Sequence, residues 1–213
     1  MRDIPRADHD VEFVGGSVAL DFANTLGGTH TAPTHEHLID YKDLVEFGRA
    51  AGTLSPSQAR RLVEEAARQP ARAAAVLRRA IALREAIWRV FDACAKRARA
   101  APADLEELHR EDLIARAHLR FRQSEAGVAY EWSDEIRLDR PLWAFARSAA
   151  DLLRSPELTW VRECGSATCE WLFIDRSRNH SRRWCDMNDC GSEAKVRRFR
   201  QRQRRMSSAK AAD

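Results

Sequence analysis

With 213 residues, 44% hydrophobic and 32% charged, the chain has the balance of a globular protein holding one large domain, or a medium and a small one, which excludes a disordered chain. No apolar run approaches the roughly 18 residues that a bilayer span needs, and the opening "MRDIPRADHD" has no apolar stretch of the signal-peptide kind, so a cytoplasmic protein with no membrane partner is expected. The formal charge of +4 is unevenly placed: residues 161–213 carry 13 Lys/Arg against 7 Asp/Glu and residues 1–160 carry 23 against 25, the asymmetry of a chain that meets a polyanion through a small module.

In chain order, "FVGGSVALDFANTLG" sets Val18, Phe22 and Leu26 at four-residue steps and predicts a short helix ended by Gly27 and Gly28. The following "GTHTAPTHEHL" reads as a loop whose histidines, His30, His35 and His37, are solvated. A second helix fits Tyr41, Leu44 and Val45 and stops near Gly52. Ser55 then caps a third, with Pro56 at its first position and an apolar stripe of Ala59, Leu62, Val63 and Ala66. The longest helix follows Pro70, with Ala80, Ile81, Arg84, Ile87, Trp88 and Phe91 on one face and Cys94 as a small buried hydrophobe. Asp104 and Glu107 suggest a capping box opening a fifth helix through Leu113 and Ile114. The period then changes: Leu119, Phe121, Val128, Tyr130 and Trp132 alternate around "SEAG", which predicts a β-hairpin. A helix through Leu142, Trp143, Ala146, Ala149 and Leu153 closes this region, and "SPEL" reads as a hinge.

Four of the five cysteines follow. Cys164 and Cys169 enclose four residues, fifteen separate Cys169 from Cys185, and four again separate Cys185 from Cys190. Two thiolate pairs joined by a connection long enough for a hairpin can close a tetrahedral site, for which zinc is the best match. Two disulfides or an iron–sulfur centre share the residue count, but disulfides suit exported chains and the two-by-two pattern favours zinc. Four thiolates leave no position for water, so one structural Zn²⁺ is expected, not a catalytic one. Gly165 and Gly191 each follow a ligand, where tight turns and amides directed at thiolates are expected. "EWLFID" reads as a strand with Trp171 and Phe173 on one face, "SRRWC" as a second strand returning to the metal, and a helix begins near 188–191. The fold class is therefore α+β: a mostly helical N-terminal domain with one β-hairpin, then a small treble-clef-like zinc module of knuckle, hairpin, knuckle and basic helix. The expected division is 1–157, 158–206 and a disordered tail at 207–213.

From residue 176 to 205 there are 11 basic and 3 acidic residues. Lys195, Arg197, Arg198, Arg200, Arg202 and Arg204 occupy nearly the whole circumference of the last helix, leaving Val196 and Phe199 to dock it on the hairpin. With Arg178, Arg182 and Arg183 from the hairpin connection they form the candidate nucleic-acid contacts, and a solvated charged helix is the simpler alternative. Asp21, Asn24 and Thr25 interrupt an apolar surface and form a candidate ligand pocket, although a core hydrogen-bond network would use the same residues. No phosphate loop, nucleophile elbow or HExxH helix is present, so an enzyme is not expected.

The block "FIDRSRNHSRRWCDMNDCG", with the cysteine pair before it and Lys195 after it, resembles the CGNR zinc-finger family of bacterial proteins, and "GGSVALDFANTL" resembles the start of the ABATE-type domain that precedes that finger. The resemblance spans essentially the whole chain. It implies a stress-response transcription regulator whose finger binds DNA and whose helical domain senses a small-molecule effector or a partner. Ser192 and Glu193 stand where the family has Asn and Arg, which puts a carboxylate where an arginine would meet phosphate. The leading expectation is a zinc-binding regulator contacting DNA through its finger and arginine-rich helix. The alternative is a small-ligand-binding or protein/RNA-interaction protein in which the finger is structural.

Overall fold

The computed structural model describes residues 4–8, 11–125, 127–197 and 199–200. The expected tail at 207–213 lies outside them. Among the described residues, six α-helices, three two-stranded antiparallel sheets and a terminal helix follow one another in an α+β arrangement. No helix among the described residues is long and apolar enough to cross a membrane.

Helix α1 (Val18–Ala23) is capped by the Ser17 hydroxyl and is shorter than its apolar period suggests. Leu26, expected on its last turn, begins strand β1 (Leu26–Gly28), which pairs with β2 (Pro33–Glu36). The expected histidine loop is therefore a hairpin, and its glycines serve close packing. A side chain at Gly27 would come within 2.0 Å of the His35 ring, so only hydrogen fits there. His30 is not solvated either: its ring stacks on Trp88 at 3.6 Å and its Nδ1 lies 3.0 Å from Glu85.

Two capping boxes set the next helices. Asp40 and Asp43 open α2 (Tyr41–Ala50), and Ser55 with Gln58 opens α3 (Pro56–Arg68) with Pro56 in the first turn. Helix α4 (Pro70–Ala95) is the long central element, burying Ala80, Leu83, Ile87, Val90 and Phe91. The capping box expected from Asp104 and Glu107 does not form. Helix α5 (Pro102–Ala117) has no side-chain cap, and the Asp104 carboxylate instead accepts bonds from Arg89. Leu113, placed by periodicity toward the core, is exposed, as is Val63 on α3.

Strands β3 (Leu119–Ser124) and β4 (Gly127–Trp132) pair in the register expected from their alternation, Leu119 opposite Trp132 and Phe121 opposite Tyr130. Helix α6 (Arg140–Leu153) then crosses the core. Phe22, Phe47 and Phe145 meet there, with ring centroids 4.4 to 5.6 Å apart. Burying rings of this size contributes about 2 to 3 kcal/mol each before entropy is counted.

The "SPEL" segment at 155–158, expected as a hinge, leads into a 3-10 turn over Pro156–Trp160 whose Leu158 and Trp160 pack on the same core. Strand β5 (Val161–Glu163) follows directly and pairs with β6 (Leu172–Ile174). The hairpin of the zinc module thus brackets the first cysteine pair, and the "SRRWC" segment returns without becoming a strand. Strand β5 has only three residues, too few for its pattern to stand out in the sequence. Helix α7 runs over 190–197 and again at 199–200.

The hairpin has two faces. Val161, Leu172 and Ile174 complete the main core, while Phe173 and the neighbouring Trp171 pack with the four cysteines. Its free edge is bonded by the helical region. The Asn24 amide donates to the Leu172 carbonyl and accepts from the Leu172 N–H, both at 2.9 Å, so one side chain serves as a missing strand neighbour. Trp171 Nε1 donates to the Leu26 carbonyl, Trp88 Nε1 to the Glu170 carbonyl, and the Ile174 N–H to the Gly15 carbonyl.

Candidate functional site

Cys164 lies just beyond β5 and Cys169 just before β6, and the loop between them is closed by a 2.8 Å bond from the Cys164 N–H to the Trp171 carbonyl. Cys185 lies in the return and Cys190 opens α7. All four are buried, and their sulfurs lie within 4.8 Å of one another. Cys185 Sγ stands 3.7 Å from Cys169 Sγ and 3.6 Å from Cys190 Sγ. A tetrahedral zinc with bonds of about 2.3 Å places its sulfurs about 3.8 Å apart, so the donor set has the spacing of a closed tetrathiolate site. Among the described residues it is the cluster fit to hold a metal. Zinc is the cofactor, one structural ion held by Cys164, Cys169, Cys185 and Cys190.

The thiols also need the cation electrostatically. Hydrogen bonding from Cys169, then from Cys185 and Cys190, drives Cys164 far below the ordinary thiol range. The same contacts with Cys164 push Cys169 and Cys185 well above it. Four sulfurs this close cannot all carry charge by themselves, and a divalent ion between them is what allows all four to ionise together. The Cys185 N–H adds a 3.4 Å bond to Cys164 Sγ. Gly165, by contrast, directs its amide not at a thiolate but at the Arg183 carbonyl, 2.7 Å away. A Cβ there would sit 2.9 Å from that oxygen, so close approach, not a special turn conformation, is what the glycine supplies.

Between the cysteine pairs, Asp175 organises the loop. Its buried carboxylate accepts the Ser177 N–H and hydroxyl and the Arg182 N–H, and those bonds hold its pKa below the ordinary range although burial opposes them. His180 Nδ1–H donates to the Asp175 carbonyl at 2.7 Å, and the ring stacks on Trp160 at 4.7 Å.

Arg182, a sequence-predicted nucleic-acid contact, is committed to this scaffold. Its guanidinium lies 4.3 Å over the Phe173 ring and donates to the carbonyls of Trp184, Cys185 and Val14. Its donors and planar shape suit that bracing, which takes up Nε and Nη2. Arg178, Arg183, Lys195, Arg197 and Arg200 are exposed, with no carboxylate in ion-pair range among the described residues. Arg198, Arg202 and Arg204 lie outside the described residues.

Helix α7 docks differently from expectation. Val196 and Phe199 are 48% and 63% exposed, and Ala194 with Cys190 and Gly191 forms its buried side instead. Small residues and a metal ligand allow a close approach that Val and Phe would prevent. An open groove of about 680 Å³ beside it is lined by Thr168, Asn188, Asp189, Glu193, Arg197 and Arg200, among others.

The candidate pocket at Asp21, Asn24 and Thr25 is filled. Asp21 is buried and accepts the Gly15 N–H at 2.7 Å; burial raises its pKa to about 6. Asn24 is occupied by Leu172, and the Thr25 hydroxyl donates to the Phe22 carbonyl and accepts from Arg84. These polar groups are spent on backbone and on a buried arginine, as a core network would spend them. Missed in the sequence were Arg84, Glu36, Glu85 and Glu170. Arg84 is 3% exposed and bonds Glu36 at 2.6 Å and Glu85, while Glu170 accepts the His30 N–H at 2.7 Å. The available signal was an arginine on the apolar face of α4.

None of the curated proteins matches the chain significantly. Residues 161–203, which contain all four metal ligands, match the family described as CGNR zinc finger. Residues 16–156, more than half of the chain, match ABATE, described as "Putative stress-induced transcription regulator". The helical region with its hairpin and the tetrathiolate module behind it thus follow the order that these two families give, and the chain belongs to the ABATE family, with a CGNR zinc finger as its C-terminal module.

Proposed function

We propose that the chain regulates transcription by contacting DNA through its zinc module, in the cytoplasm and without catalysing a reaction. The observation that carries this reading is the division of the module into two sides. One side is bonded to the helical region through Asn24, Trp88, Gly15 and Leu26. Elsewhere the module exposes Arg178, Arg183, Lys195, Arg197 and Arg200 without acid partners among the described residues. Such cations neutralise backbone phosphates and release counterions. Arg178 and the adjacent exposed Asn179 are also of the types that read base edges in a groove. The regulatory part would then be the helical region, with signals passing through the shared core.

Glu193 and Asp189 line the groove that also holds Arg197 and Arg200, which favours the 176–183 loop over the first turn of α7 as the nearer approach to phosphate. The test is binding of the zinc-loaded full chain to random-sequence duplex DNA over a salt series starting at about 50 mM. Binding with a steep salt dependence is expected. Replacing Arg178 and Arg183 by Gln should lower the slope by about 1 per lost phosphate contact. Absence of binding even at low salt would leave the module a structural unit, the reading that its shared core otherwise favours.

A further inference from the structure

The β3–β4 hairpin is a part of the chain that the main core does not cover. Its register puts Leu119 opposite Trp132, Phe121 opposite Tyr130 and Gln123 opposite Val128 on one face, and Arg120 and Arg122 opposite Glu131 and Ala129 on the other. The first face is an uncharged strip whose two ends differ. At the root, Trp132 is half-buried and its ring meets that of Trp143 at 5.9 Å. Toward the tip, Phe121, Tyr130 and Val128 are 71%, 65% and 61% exposed, and the two aromatic rings stack at 4.5 Å.

Among the described residues no third strand pairs with either edge of the hairpin. Two strands standing free in water are marginal, and an exposed strip of aromatic and β-branched side chains on them calls for further strands or a packed surface. The strip carries no charge, so a polyanion is not what covers it.

Charge also separates the two edges. In a two-fold pairing between copies, β3 about Phe121 sets Arg120 opposite Arg122 of the second copy, twice, and like charges directly opposed destabilise a sheet. Strand β4 has a single charged residue, Glu131, which Arg122 of its own copy neutralises at 2.5 Å. About an axis at Ala129 or Tyr130, Glu131 meets Gly127 or Ala129 of the second copy, while Val128 and Tyr130 meet only Val128, Tyr130 or Trp132. With Ser124 opposite Gly127 as the closing pair, the alternation of the ladder turns the N–H groups of Val128 and Tyr130 away from β3, toward that partner. A mixed β3–β4 contact between copies would leave a free edge at each end and run on as an open chain, whereas β4 against β4 closes.

We propose that the β4 strands of two copies pair antiparallel about a two-fold axis near Ala129 and Tyr130, making the chain a homodimer with a four-stranded sheet of order β3, β4, β4, β3. The proposal is independent of the DNA reading. Strand β4 has six residues and spans about 20 Å, so this pairing lays the exposed tip of each hairpin beside the root of the other, where Trp132 and Trp143 prolong the strip. Phe121, Tyr130 and Val128 expose about 350 Å² of side chain per copy, against about 800 Å² per partner in a standard interface. The dimer is therefore reversible and forms at micromolar concentration.

The experiment is sedimentation velocity of the zinc-loaded full chain from about 1 to 200 µM, where a monomer–dimer equilibrium is expected. Tyr130→Lys and Tyr130→Glu each bring like charges together across the axis and should weaken association by about tenfold or more, whereas an equimolar mixture of the two variants should associate about as tightly as the parent. Tyr130 is exposed, so both replacements leave the core untouched. Val128→Pro removes an outward N–H and spares the ladder to β3, and it should weaken the dimer too. A parent chain that stays monomeric over the whole range overturns the proposal, as does a dimer that both Tyr130 variants leave unchanged. A mixture no tighter than either variant alone also overturns it, because residue 130 would then lie far from the axis. Insensitivity to Val128→Pro would rule out strand pairing in favour of face-to-face packing.

Discussion

From α1 to α6 the core is built chiefly of Phe, Leu, Ile, Val and Ala in helical register, enough to hold together by themselves. Within 161–200 the buried apolar side chains besides the cysteines are Val161, Trp171, Leu172, Phe173, Ile174 and Ala194 among the described residues. Three of these, Val161, Leu172 and Ile174, belong to the helical region's core. What remains to the module is Ala194 on α7, and Trp171 and Phe173 packed around four sulfurs. The helical region folds on apolar burial, whereas the module folds on a metal and on half a core that it shares. Its tip can therefore carry charge without a hydrophobic interior behind it.

The largest way to break this contrast is to remove the metal. Ligation is worth about 10 to 16 kcal/mol in small zinc peptides. Cys185 contacts both Cys169 and Cys190 through sulfur and Cys164 through its amide. Cys185→Ser, or a strong chelator, is expected to abolish the one-to-one zinc stoichiometry and the near-ultraviolet signal of Trp171. Because Leu172 and Ile174 close the main core, the melting temperature of the helical region should fall as well. An unchanged helical melt beside a collapsed module would show that the core is not shared in energy, only in contact.

A smaller and sharper test is Asn24→Ala. It removes both bonds to Leu172 and leaves a buried N–H and a buried carbonyl unmet. At about 1 to 3 kcal/mol for each orphaned group, a loss of about 3 to 4 kcal/mol is expected in urea unfolding. Zinc transfer to a competing chelator should also quicken, because β6 loses the support that holds Cys169 in place. A destabilisation with no change in zinc release would place Asn24 in the helical region's economy alone.

The metal centre was legible because spacing encodes it: two pairs with four residues inside each can be read without knowing any contact. The third helix was legible from Ser55 and Pro56, and the β3–β4 register from its alternation, since those signals are local. Asn24 was not, because its partner lies 148 residues away and an Asn after a short helix has many uses. Nor could the sequence separate Arg182 from Arg183: one braces the second knuckle over Phe173, and the other is exposed beside Trp184. The same holds for Arg84 and Arg140, alike in letters and burial, one with carboxylates and one without. The first hairpin was hidden by Gly, Thr and His, which carry little strand signal, although the packing of His35 over Gly27 is specific.

The least effect, and the most selective, concerns pH. Asp21 ionises near 3.8 in an unfolded chain and at about 6 in the folded one, because burial outweighs the bond from Gly15. The folded state therefore holds its proton more tightly, and stability falls as pH rises from about 4 to about 6, then levels off. The full shift corresponds to at most about 3 kcal/mol. Asp21→Asn keeps an oxygen for the Gly15 N–H and cannot ionise, so the variant should gain on the parent chain across that window, whatever constant offset its amide introduces. Urea midpoints at pH 4 and pH 7 measure the gain directly. A difference between the two chains that does not change with pH would mean that water reaches Asp21, and that the wall between α1 and Gly15 is looser than the 2.7 Å bond indicates.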